Sequence, residues 1–90
     1  MLTEKCLVDV AELLKAIGHP IRLCIIKKLL SGSMIVSELL ECIKVSQSNI
    51  SQHLFVLRKM KIIECKRKGT TMVYTLIDEN VRKVVSVFLK

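Results

Sequence analysis

Glycine and proline are scarce in this chain, three and one among 90 residues, while 51% of the residues are hydrophobic and 26% charged. Together these figures exclude a collagen-like, linker-dominated or disordered polypeptide. Long uncharged runs are lacking too: Lys15, Arg22, Lys27 and Lys28 interrupt the apolar first third, so no stretch of about 18 apolar residues is present to span a membrane. The opening Met1-Leu2-Thr3-Glu4-Lys5 has no basic segment followed by an apolar block and a small-residue cleavage site, so the expected location is the cytoplasm. Cys6, Cys24, Cys42 and Cys65 include no C-x-x-C or C-x-C pair, so the local chelate of zinc ribbons is missing, and reduced thiols are the default in such a chain. A glycine-rich phosphate loop and a Ser/His/Asp or Cys/His grouping are also missing, so neither an enzyme nor a bound cofactor is expected.

Acidic residues are the other shortage, and it is local. Residues 1–42 balance five basic groups (Lys5, Lys15, Arg22, Lys27, Lys28) against five acidic ones (Glu4, Asp9, Glu12, Glu38, Glu41), whereas residues 43–90 hold ten basic and three acidic and so carry the whole net charge of +7. A chain neutral in one half and cationic in the other points to a polyanion-binding face on a domain whose remainder does something else. The length fits one domain, residues 1–90, of a size at which a single core is marginal without a partner subunit.

What is present reads as helices followed by a hairpin. Leu7, Val10, Ala11, Leu14 and Ile17 recur at helical spacing between a Thr3 cap and a Gly18 stop, with Val8 and Leu13 widening the apolar face enough for both a core and a second subunit. His19-Pro20 restarts the chain, since proline suits the first turn of a helix, and the second helix ends at Ser31-Gly32. A short third helix covers Val36 to Ile43. After Lys44-Val45, Ser46 caps a fourth helix from Gln47 to about Met60 with Ile50, Leu54, Leu57 and Met60 on one face. Beyond Lys61 the period changes to two, giving a hairpin with its tip at Lys66-Arg67-Lys68-Gly69-Thr70-Thr71, and Asp78 caps a last helix through Val81, Val84, Val85 and Phe88. The predicted class is mostly α with a small β-hairpin, in the order α-α-α-α-β-β-α.

Two short helices joined by a tight turn, the second carrying small polar side chains on its first turns, form a helix-turn-helix signature. The block from Lys44 to Lys68 holds seven basic residues against Glu64 alone. Gln47, Ser48, Ser51 and Gln52 can reach base edges, and Lys44, Arg58, Lys66, Arg67 and Lys68 suit phosphates. Ser46 and His53 complete the candidate DNA-binding set, His53 with a packing or phosphate role. His19, at a helix start, is read as capping backbone N–H groups. The competing readings are a protein-interaction module, whose cations would serve solubility only, and a sequence-tolerant architectural DNA binder.

Three stretches make the chain resemble the ArsR/SmtB-type winged-helix repressors over nearly its whole length: Leu14-Lys-Ala-Ile-Gly-His-Pro-Ile-Arg22, Val45-Ser-Gln-Ser-Asn-Ile-Ser-Gln-His-Leu54 with Leu57-Arg58 behind it, and Arg67-Lys-Gly-Thr-Thr-Met-Val-Tyr-Thr-Leu76. The resemblance implies a winged helix-turn-helix, a homodimer paired through the first and last helices, and a palindromic double-stranded DNA operator read by the 46–60 helix and the 61–76 wing. It also implies release of DNA on a metal, metalloid or thiol-reactive signal. Three departures bear on that signal, one being that Cys24 stands on the second helix but the last helix has no cysteine to join it, as the family's paired-cysteine redox members require. Ile35 and Ser37 stand where many members carry a Cys-x-Cys metal pair. Asp78 matches a carboxylate ligand of the last helix, but Asn80 replaces a histidine and Lys90 is reached before the remaining ligands would occur. No metal site is expected. Cys6, Cys24, Cys42 and Cys65 are left as the thiol-sensor candidates, with inert apolar packing of all four as the plain alternative.

Overall fold

The computed structural model describes residues 4–89, with side chains from residue 6 onward; the Thr3 cap expected for the first helix lies outside them. The elements are α1 (Glu4–Ile17), α2 (Pro20–Leu30), β1 (Met34–Ile35), α3 (Val36–Cys42), α4 (Gln47–Lys59), β2 (Ile63–Lys68), β3 (Thr71–Leu76) and α5 (Glu79–Phe88). The expected order holds, with one two-residue strand added. β1 pairs antiparallel with β3, Met34 opposite Tyr74 and Ile35 opposite Val73, and the sheet order is β1-β3-β2. The strand was not legible because two residues carry no period; β3 alongside makes them a strand.

Local chemistry sets most boundaries. His19 Nδ1 accepts from the Ile21 N–H at 3.1 Å, so the first turn of α2 is satisfied by a histidine cap and by Pro20, which brings no N–H. At the start of α3 the Ile35 N–H donates to Glu38 Oε1 at 3.0 Å, the reciprocal half of a capping box. The Ser46 and Asp78 side chains cap α4 and α5, accepting from the Asn49 and Val81 N–H groups at 3.1 and 2.9 Å. Gly69 takes φ +64°, the positive value that a two-residue hairpin loop needs at its first position. α4 ends in a Schellman arrangement. Ile62 N–H donates to Leu57 O at 3.0 Å and Lys61 N–H to Arg58 O at 2.9 Å, with Lys61 at φ 59° where glycine is the usual residue. Burial of both Leu57 and Ile62 holds that turn against the left-handed strain of Lys61.

The core forms where α2, α4 and α5 close over the sheet: Ile25, Ile26 and Leu29 meet Ile50, Leu54 and Leu57, with Leu39, Ile63, Leu76, Val81 and Val85 around them. Met60, expected among them, is half-buried. α1 departs furthest from its pattern. Of its apolar residues only Ala16 and Ile17 are buried, whereas Leu7 is 54% and Leu14 49% exposed, with Val8 and Val10 alike. On α5, Val81 and Val85 face inward while Val84, Val87 and Phe88 face out, Phe88 at 80%. A helix period shows which residues share a face but not which neighbour covers it. No helix among the described residues is long and apolar enough to cross a membrane.

Candidate nucleic-acid interface

α4 has two faces of different chemistry. Ile50, Leu54 and Leu57 lock it into the core, and this turns Gln47, Ser48, Ser51, Gln52 and Arg58 to solvent on one arc. Ser46 Oγ, besides capping α4, lies 3.3 Å from Ser48 Oγ, so its hydroxyl is engaged in holding the helix start. Lys44 is exposed in the turn between α3 and α4. The start of α4, the start of α3 and the turn of the wing share a cleft of about 310 Å³ lined by Gln47, Ile35 to Ser37, and Thr70, Thr71 and Met72. Glutamine at this point can present both a donor and an acceptor to an adenine edge, and serine can do either.

Lys66, Arg67 and Lys68 are all exposed at the end of β2. Lys66 Nζ lies 3.8 Å from Glu64 Oε1, a surface pair that a phosphate could replace at little cost. Nearer the base of the wing, Cys65 stands opposite Tyr74 across β2 and β3. Burial, followed by the neighbouring Cys65 thiol, pushes the Tyr74 hydroxyl above its ordinary value of 10.0 against the opposing pull of Arg58. Tyr74 therefore stays neutral where it packs against the core from β3.

His53 is placed apart from the polar arc. It is half-buried, its ring 4.4 Å from that of His19, and its Nδ1 lies 3.2 Å from Arg22 Nη1. The guanidinium can only donate, so Nδ1 is the unprotonated acceptor and the ring proton sits on Nε2. Arg22 also donates through Nε to the Ala16 carbonyl, so one arginine ties the end of α1, the start of α2 and the middle of α4 together. The contacts of His53 in this structure are with Arg22 and His19.

Burial, then the His19 ring and the Arg22 charge, lower the His53 pKa below 6.5. The unfolded chain then takes up this proton before the folded one, so the stability linked to His53 is fully present above about pH 6.5 and is lost as the pH falls through that value toward the folded pKa. The melting temperature is expected to be lower at about pH 5.5 than at about pH 7.5, with a smaller difference in His53→Gln, whose amide still accepts from Arg22 but does not titrate. Equal pH dependence in the two proteins would refute the assignment.

The four thiol candidates sit on four different elements: Cys6 exposed on α1, Cys24 half-buried on α2, Cys42 exposed at the end of α3 and Cys65 half-buried on β2. Among the described residues no group of three or more His, Cys, Asp or Glu side chains could hold a metal ion. Asp78 is committed to its capping bond, and Ile35 is the residue on which α3 begins. Two features of the surface escaped the sequence reading. Lys59 extends the cationic end of α4, and Phe55, on the same exposed arc, leaves 64% of its surface in water. Its spacing, four residues after Ser51 and three after Gln52, was the available signal.

Comparison with known proteins gives a consistent picture. The family model for bacterial regulatory proteins of the arsR family matches residues 19–64. An HTH-type transcriptional regulator of Methanocaldococcus jannaschii is 38% identical over 76 residues, covering 83% of this chain and 85% of that protein. The biofilm growth-associated repressor of Xylella fastidiosa is 36% identical over 83 residues, covering 92% and 73%. Among solved structures, HlyU from Vibrio cholerae superposes with a TM-score of 0.89 at 32% identity, covering 96% of this chain and 94% of that one.

Proposed function

The chain belongs to the arsR family of bacterial regulatory proteins and is a DNA-binding transcriptional repressor rather than an enzyme, and from that premise we propose that it acts as a homodimer on a palindromic operator, reading bases with α4 and holding the backbone with its wing. The observation that carries the base-reading part is the split character of α4: an apolar face sunk in the core and an opposite arc of Gln47, Ser48, Ser51 and Gln52 in solvent. Helices docked in a major groove contact base edges from their first turns, where these four residues stand. Lys44, Arg58, Lys66, Arg67 and Lys68 are the backbone contacts, and Ser46 and His53 hold α4 in place for them.

Pairing through α1 and α5 is supported by the apolar side chains these helices leave in water. Leu14, Ile17, Leu23, Val84, Val85 and Phe88 line a groove of about 240 Å³ where α1, α2 and α5 meet. An apolar groove shared by these helices, with no charged residue in its lining, suits a second copy of the same patch.

The test separates base reading from phosphate anchoring on an operator selected from a random pool. Gln47→Ala or Gln52→Ala is expected to lose about 1–3 kcal/mol at particular operator positions and to relax preference there. Lys68→Ala is expected to weaken all sequences alike and to lower the salt slope by about one. Unchanged site preference in both glutamine variants would remove α4 from base recognition.

A further inference from the structure

Phe55 is the one large apolar side chain of α4 that the core does not use. Among the described residues the other exposed large apolar side chains lie on α1, on α5 and the segments next to it, or, in Met72, on the wing. At about 100° per residue, positions 48, 51, 52, 55, 58 and 59 form a single stripe. Phe55 occupies its middle, with Ser48, Ser51 and Gln52 on the N-terminal side and Arg58 and Lys59 on the C-terminal side. Across a groove of about 290 Å³ it faces Lys15 and Arg22, with Glu12 the acidic member of the lining. The ring thus stands within a collar of four cations and one carboxylate.

That collar selects the chemistry of whatever covers the ring. A second apolar protein surface would have to desolvate Arg58 and Lys59 without compensation, which is costly. A polyanion satisfies them, and the major groove of duplex DNA presents one apolar group between its phosphates, the 5-methyl of thymine. Axial spacing agrees: at about 1.5 Å per residue, Phe55 lies roughly 6 Å beyond Ser51 and roughly 10 Å beyond Ser48, two to three base-pair steps along a groove about 12 Å wide. We propose that Phe55 is a specificity-determining residue that reads a thymine methyl in each half-site, with Arg58 and Lys59 on the flanking phosphates. The proposal rests on α4 being the helix in the groove, and its test is built to fail separately from that reading.

The experiment uses the full chain and its selected operator at one fixed salt concentration, with each thymine of the half-site replaced in turn by deoxyuridine, which removes only the methyl. The wild-type protein is expected to lose about fourfold in affinity at one thymine per half-site, the value of one buried methyl group. Phe55→Ala, which keeps its fold because the core lies on the opposite face of α4, is expected to bind the operator more weakly and to be indifferent to uracil there. Phe55→Leu is expected to recover part of the discrimination.

The thymine contact is overturned if Phe55→Ala keeps the wild-type response to uracil, or weakens every sequence equally. It is also overturned if Phe55→Ala leaves DNA binding intact and changes only self-association or capture of an acidic protein. Gln47→Ala and Gln52→Ala run beside it as controls. If they alter site preference and Phe55→Ala does not, the thymine contact alone is rejected; if none of the three alters it, the placement of α4 in the groove is rejected as well.

Discussion

Raising the salt from 50 to 200 mM is expected to weaken operator binding by about three to five orders of magnitude, the fall that goes with roughly six to ten neutralised phosphates. The number comes from the surface. Lys44, Arg58, Lys66, Arg67 and Lys68 are all exposed, in the turn before α4, on α4 and on the wing, and a dimer doubles the set. Lys66 already has Glu64 at 3.8 Å, so its contribution to counterion release is smaller than that of its neighbours on β2. The measurement is the logarithm of the association constant against the logarithm of salt concentration, on the operator and on unrelated duplex DNA. A steep slope on both, with tighter binding to the operator, is the expected result. A flat response would favour the protein-interaction reading, and equal affinity for the two DNAs would favour the architectural one.

A single charge placed on the exposed apolar face of α1 or α5 is expected to separate the dimer and lower operator affinity by about 10²–10⁴-fold. That range is the typical gain when a second binding event becomes intramolecular. Leu14→Glu and Val84→Glu are suitable because both residues are substantially exposed in the single chain yet line the same groove, so the monomer fold tolerates a carboxylate that a paired interface cannot. Burying that charge against an apolar partner surface without compensation would cost several kcal/mol. Sedimentation should show a monomer and far-UV circular dichroism an unchanged helical content, and binding to an isolated half-site should be nearly unaffected. A variant that stays dimeric, or a monomer that binds the full operator as tightly as the wild type, would remove α1 and α5 from the proposed pairing.

The sequence alone was enough for whatever is decided within a few residues. Ser46, Asp78 and His19-Pro20 mark helix starts because the groups they satisfy lie two or three positions away, and Gly69 marks the hairpin because one φ value demands it. The charge asymmetry and the helix-turn-helix spacing extend further along the chain but are properties of residue order alone, which is why the class of partner was legible without coordinates. Other features belong to the tertiary structure, because each depends on a neighbour distant in sequence. β1 exists only because β3 runs beside it, and the left-handed turn at Lys61 is held because elements distant in sequence close over Leu57 and Ile62. His53 shares the helix of Gln47 and Gln52, yet Arg22, 31 residues away, turns it to a different use. Phe55 stands in the sequence as one apolar residue off the stripe of Ile50, Leu54 and Leu57, with nothing local to say what surrounds it. Only when Ile50, Leu54 and Leu57 fill the interior from the opposite face does it become an apolar ring surrounded by cations, and only then do α1 and α5 show which of their apolar residues the single chain leaves uncovered.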